Sequence, residues 1–178
     1  MIRPPWPDLD RLARVIRASD SLTDTRVAWT GRGLDVEIVR RVDGACPDPV
    51  VADSLALAEG ARVQHREVRM WCGGGVLATA RSWVAADSPA LTPAVREELY
   101  NGASLGDLLR PLHRRRVAVR VAALRSRRTG DPAAPVLAVA ARLDVGGTPV
   151  AWCEETILEA VLAGYGRRAS PRQRRVAA

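Results

Sequence analysis

Lysine is missing from this chain: all 27 Lys-or-Arg positions are arginine. Schiff-base catalysis, pyridoxal phosphate attachment and the phosphate-loop lysine each need that amine, so these chemistries are excluded. Cysteine is sparse. Cys46, Cys72 and Cys153 are widely spaced with no C-x-x-C pair, which excludes a common zinc framework and a fully paired disulfide set and fits a reducing compartment. His65 and His113 are the only histidines and neither has a Ser, Cys or metal-ligand companion at a useful spacing. A zinc site or a Ser-His-Asp mechanism therefore has little support, and no metal is expected. No apolar run approaches the length of a membrane span. The opening "MIRPPWPDLD" places prolines and acids where a signal peptide needs a continuous apolar stretch, so a cytoplasmic protein with no membrane partner is the expectation.

What is present fits one domain of ordinary apolar content. The formal charge of +7 is concentrated at one end: residues 166 to 178, "GRRASPRQRRVAA", hold five arginines and no acid, leaving +2 for residues 1 to 165. The expected organisation is a folded domain over 1–165 and a basic, solvated tail over 166–178. With a body so nearly balanced, nucleic acid is not the expected partner, and a monomer is.

Helical spacing of Leu9, Leu12, Val15 and Ile16 predicts an amphipathic helix over 8–18. "SDSLTDT" reads as a polar turn, and "GLDVEIVRRV" alternates as a strand with one buried face. Turn chemistry at Pro47 to Pro49 precedes a short helix or irregular segment. Thr92 is the predicted N-cap of a helix that ends at Asn101-Gly102. Ser104 with Asp107 three residues on predicts a capping box on a second short helix. Strand patterns return at "RVAVRVAAL" and in two arms about Gly146-Gly147. Hairpins with helices inserted between them imply an α+β domain built on one antiparallel sheet.

"HREVRMWCGGGVLATARSWV", residues 65–84, reads as two strands about a glycine turn. A two-residue loop at Gly73-Gly74 pairs Arg66 with Arg81, two like charges that need an anion between them. A three-residue loop centred on Gly74 puts them on opposite faces. In "VAWCEETIL", Glu154 and Glu155 interrupt an apolar strand and face opposite ways, so one of them points into the protein, where carboxylates are costly and often functional.

"DSLT" at 20–23, "REV" at 66–68, "ATARSWV" at 78–84, "SLGDLL" at 104–109 and "GGTPVAWCEETIL" at 146–158 together resemble the chorismate lyase family, in order and with similar gaps, over about residues 9 to 160. The resemblance implies a single antiparallel-sheet domain with helical flaps over an enclosed site, no cofactor, and conversion of chorismate to 4-hydroxybenzoate and pyruvate. It implies that Arg66 binds the ring carboxylate and that Arg81 lies near the pyruvyl carboxylate. Glu154 then contacts the ring hydroxyl, with Leu22 and Leu105 at flap and wall. Arg81 and Glu154 are the implied catalytic pair. The chain departs from the family at Ala80, where glycine is usual, and at "LAVAARL", which keeps only Arg142 of a Trp-x-Arg-Arg-Ser stretch. The alternative is a non-catalytic domain that binds small aromatic carboxylates. The same fold occurs as the effector domain of bacterial transcription regulators, although the one helix predicted ahead of the first strand leaves no room for the usual winged-helix domain.

Overall fold

A computed structural model describes residues 7–46, 48–125 and 129–162. The basic tail over 166–178 and the domain boundary at 165 lie outside the described residues. Six strands form one sheet in the order β1-β2-β3-β6-β5-β4, and every neighbouring pair is antiparallel. They are β1 (Asp35–Ala45), β2 (Arg62–Cys72), β3 (Gly75–Val84), β4 (Arg115–Ala123), β5 (Pro135–Val145) and β6 (Thr148–Leu158). The helices are α1 (Pro7–Ala18), α2 (Leu22–Thr30), α3 (Pro49–Ser54), α4 (Pro93–Asn101) and α5 (Leu105–Leu109). This is the α+β architecture that the alternation of the sequence implies.

One face of the sheet is covered. Leu9, Leu12 and Ile16 of α1 pack with Trp29 of α2 onto Leu137, Val139 and Ile157. Leu99 of α4 and Leu109 of α5 pack onto Val84, Leu143 and Ala151. Full burial of such side chains stabilises by about 1.5–3 kcal/mol each, so these two clusters anchor the helices to the sheet. Val15, expected in the α1 stripe, is instead 40% exposed. On the opposite face α3 covers one end only, through Val51 and Leu55 against Trp83 and Trp152.

Local chemistry explains most helix ends. The Thr92 side chain accepts a hydrogen bond from the Val95 N–H, and Asp48 accepts from Val50 and Val51. Ser104 occupies the N-cap of α5 but makes no side-chain cap bond, so the expected capping box is absent. The "SDSLTDT" turn is corrected: Ser21 caps α2 by accepting from the Asp24 N–H, and the helix runs on to Thr30. Its hydrophobic periodicity is weak because Arg26 occupies its buried side.

Candidate functional site

The β2–β3 hairpin turns at Gly73-Gly74, both with positive φ (58° and 87°), and Cys72 pairs with Gly75 as a two-residue loop requires. Beyond Trp71↔Val76 the register shifts, and Met70 pairs with Ala78. Leu77 is the extra residue of this bulge. Arg66 therefore lies opposite Ser82, and Arg81 opposite Glu67. The expected Arg66–Arg81 pair is thus corrected: the two arginines project from opposite faces of the sheet. The bulge turns Ala78 and Val84, both at 0% exposure, toward the helices, and leaves Thr79 and Arg81 on the far face. A ladder without it would bury the polar set and set two like charges side by side.

Arg66 stays on the covered face at 1% exposure, at the floor of a cavity of about 90 Å³. Leu22 and Thr23 from the start of α2, and Leu105 and Gly106 from α5, roof it, while Ala80, Ser82 and Cys153 line the sheet side. A Cβ on Gly106 would come within 3.2 Å of Thr23 Oγ1, so a residue without a side chain is what lets the two helices meet over the cavity. Leu22, Leu105, Ala80 and Arg66, all singled out in the sequence, are brought together here. Arg81 also borders the cavity, yet its side chain is 60% exposed and bonds Glu154 Oε2 at 2.9 Å. Glu154 pairs across strands with Arg81 and takes a hydrogen bond from Trp152 Nε1 at 3.3 Å, all on the open face.

Arg114 and Arg116 join Arg66 in the cavity wall. Arg114 Nη2 donates to Ser21 Oγ at 2.9 Å. Arg116 Nη1 donates to the carbonyls of Ile16 and Ser19 at 3.0 and 2.7 Å, closing the C-terminal end of α1. Arg66 Nη2 donates to the Ala103 carbonyl at 2.6 Å. Donors are left over: among the described residues, Arg66 Nε and Nη1 and Arg116 Nη2 are buried with no partner. Burial lowers the pKa of all three arginines, with Arg41 adding to the effect on Arg66 and Arg114 to that on Arg116. Burial pushes the Cys153 thiol up to about 12, against the opposing pull of the same three cations, so it is neutral.

The inward-pointing glutamate is Glu155. It forms an ion pair with Arg26 of α2, their side chains 10% and 0% exposed, and Arg26 also contacts the Met70 sulfur. Burial, then the nearby charge of Arg116, lowers the Arg26 pKa to about 9, still above neutrality. Arg26, Arg114, Arg116 and Glu155 were not singled out as site residues. Arg116 opens "RVAVRVAAL", where it reads only as the polar partner of alternating valines, Arg114 lies just ahead of that pattern, and Arg26 lies in the helix whose start read as a turn. Only the paired glutamates in "CEET" carried a signal.

No protein-family model matches this chain, and no curated protein matches it either. Solved structures do. The effector domain of PhnF from Mycobacterium smegmatis is 19% identical with a TM-score of 0.59, over 89% of this chain and 94% of that one. The chain has the fold of that effector domain. Full PhnF aligns at 18% identity and a TM-score of 0.58, covering 80% of this chain, which spans 65% of the PhnF chain. A GntR-family transcriptional regulator from Bacillus cereus aligns at 14% identity and a TM-score of 0.51, over 71% and 92%. The fold is related to that of chorismate lyase. The expected carbon–oxygen lyase activity is nevertheless corrected, because the solved structures this chain resembles are a regulator effector domain and a GntR-family transcriptional regulator rather than lyases. The geometry agrees: Arg81 and Glu154, the implied catalytic pair, neutralise each other on the open face, away from Arg66.

Proposed function

We propose that this domain is a non-catalytic sensor that binds a small anionic molecule, a carboxylate or phosphate, in the enclosed cavity. The observation that carries the reading is the convergence of Arg66, Arg114 and Arg116 with buried N–H donors still unpartnered. A buried donor without an acceptor costs about 1–3 kcal/mol, and an anion would satisfy several at once with short charge-assisted bonds. Arginine suits this role because its planar fork matches carboxylate and phosphate oxygens. Val36, Val68 and Met70 line the same cavity and provide an apolar wall for the body of the ligand. No helix among the described residues is long and apolar enough to cross a membrane, and three free cysteines suit a cytoplasmic sensor.

Calorimetric titration and thermal melting with inorganic phosphate, 4-hydroxybenzoate and chorismate test the reading. At least one should raise the melting temperature, since ligand at 100-fold its Kd stabilises by about 2.7 kcal/mol. Arg66→Gln and Arg116→Gln should each weaken binding by about tenfold or more, because each removes a charged hydrogen-bond donor. Arg81→Ala should leave affinity unchanged. Equal loss in all three variants would sink the proposal, as would binding of none of the three probes. No pyruvate should be released from chorismate.

A further inference from the structure

Toward the β1 edge of the helix-covered face lies a second hollow, of about 290 Å³, whose polar lining is Asp43, Arg62, Gln64, Asp87 and Tyr100. None of these residues borders the arginine-lined cavity. The first two strands place three of them: Asp43 pairs directly with Gln64, and Arg62 stands two residues along β2 on the same face. Asp87 comes from the turn after β3, and Tyr100 from the last turn of α4. Gln64 is the anomaly. It is 0% exposed, and among the described residues neither its Nε2 nor its Oε1 has a partner. A buried amide with donor and acceptor both unmet is costly, and an apolar residue in its place would avoid that cost. The charges around it are equally unengaged. Among the described residues Asp43, Arg62 and Asp87 enter no ion pair, although Asp43 and Arg62 are diagonal neighbours of opposite sign. Diagonal neighbours stand about 7–8 Å apart, a gap that one small molecule carrying both signs can bridge.

We propose that this hollow is a second binding site, separate from the anion cavity, for a small zwitterion of the α-amino acid class. Asp43 and Asp87 take the ammonium group, and Arg62 takes the carboxylate. The Gln64 amide carries a donor and an acceptor without net charge, so it serves both ends from the buried side, its Nε2 donating to the carboxylate and its Oε1 accepting from the ammonium. Two carboxylates against one guanidinium disfavour a simple anion here, whereas the cavity walled by Arg66, Arg114 and Arg116 favours one. The size limits the occupant further. Ligand pockets span about 300–1,000 Å³, and this one stands at the bottom of that range, suited to a molecule of a few heavy atoms.

Calorimetric titration and thermal melting of the whole chain with glycine, L-serine and L-glutamine test the proposal, beside glycine methyl ester, which keeps the ammonium but lacks the carboxylate charge. At least one amino acid should bind and raise the melting temperature. The ester should bind about tenfold more weakly than glycine, because its contact with Arg62 loses the charge. Asp43→Asn and Arg62→Gln, both at exposed positions, should each weaken amino-acid binding by about tenfold or more. Gln64→Leu should lose binding yet melt no lower than wild type, since the unmet amide is replaced by an apolar side chain; a glutamine with a merely structural role would not give that combination. Where Gln64→Leu fails to fold, the two exposed variants decide. Binding of none of the three amino acids overturns the proposal, as does an affinity that Asp43→Asn and Arg62→Gln leave untouched, or an ester that binds as tightly as glycine. Amino-acid binding that Arg66→Gln removes and Asp43→Asn retains belongs to the anion cavity, and it overturns this proposal while leaving that one standing.

Discussion

Arg26 and Glu155 show how a single residue pair ties a helix to the sheet. Their charges are buried together between α2 and β6, where removing one partner leaves the other uncompensated. Glu155→Gln should therefore cost about 3–5 kcal/mol in chemical denaturation, whereas Arg26→Met combined with Glu155→Leu should recover most of the loss. Cys153 illustrates the opposite case, a group kept neutral by burial. Its pKa rises from 9.0 to about 12 in the folded chain. The sign follows from linkage: the folded state holds its proton more tightly, so this contribution is complete below pH 9 and is lost as pH rises toward 12. Comparing wild type with Cys153→Ala by urea melts from pH 8 to 11 should show the smaller alkaline decline in the variant. At pH 8 the native Cys153 thiol should also resist a disulfide reagent that labels the unfolded chain.

At the scale of elements, the one-residue bulge at Leu77 in β3 decides which arginine reaches the cavity. Deleting Leu77 would close the bulge yet keep Met70 opposite Ala78, so Arg81 should stay opposite Glu67 on the open face. The expected outcome is a retained circular dichroism signature with a lower melting temperature, because the buried Leu77 side chain and its contacts are lost. Ser21 joins two functions, since it caps α2 and takes the Arg114 hydrogen bond. Ser21→Ala should lower stability by about 1 kcal/mol, measured by urea denaturation. The hairpin turn was readable because Gly-Gly has a local conformational cause. The bulge was not, because it is selected by burial of Ala78 and Val84 under helices far away in sequence. For the same reason α2 escaped notice, its buried side being an arginine rather than an apolar stripe.

The whole molecule is a sheet with two chemically different faces. The helix-covered face encloses an arginine-lined cavity, and the other carries a cross-strand row of alternating charge, Arg40, Glu67, Arg81 and Glu154. Adjacent residues of β6, Glu154 and Glu155, serve opposite faces, one bonding Arg81 and the other Arg26. Anion binding should be visible at this scale as slowed amide exchange around residues 19–23 and 103–106, where the start of α2 and α5 roof the cavity. Exchange in the open-face row, on the other side of the sheet, should change little on anion binding. Faster exchange of the roof on binding would argue against ligand entry beneath it.

Period-two alternation, glycine turns and helix caps by themselves determined the antiparallel α+β fold, and the resemblance in "DSLT", "REV" and "SLGDLL" pointed to Leu22, Arg66 and Leu105, which the structure brings to one cavity. The absence of lysine excluded whole classes of chemistry. Only the tertiary structure decided that Arg66 is joined by Arg114 and Arg116 rather than by Arg81, and that Glu155 rather than Glu154 turns inward. The reason is physical: strand alternation fixes which residues share a face, but a single bulge, chosen by long-range packing, fixes which face that is.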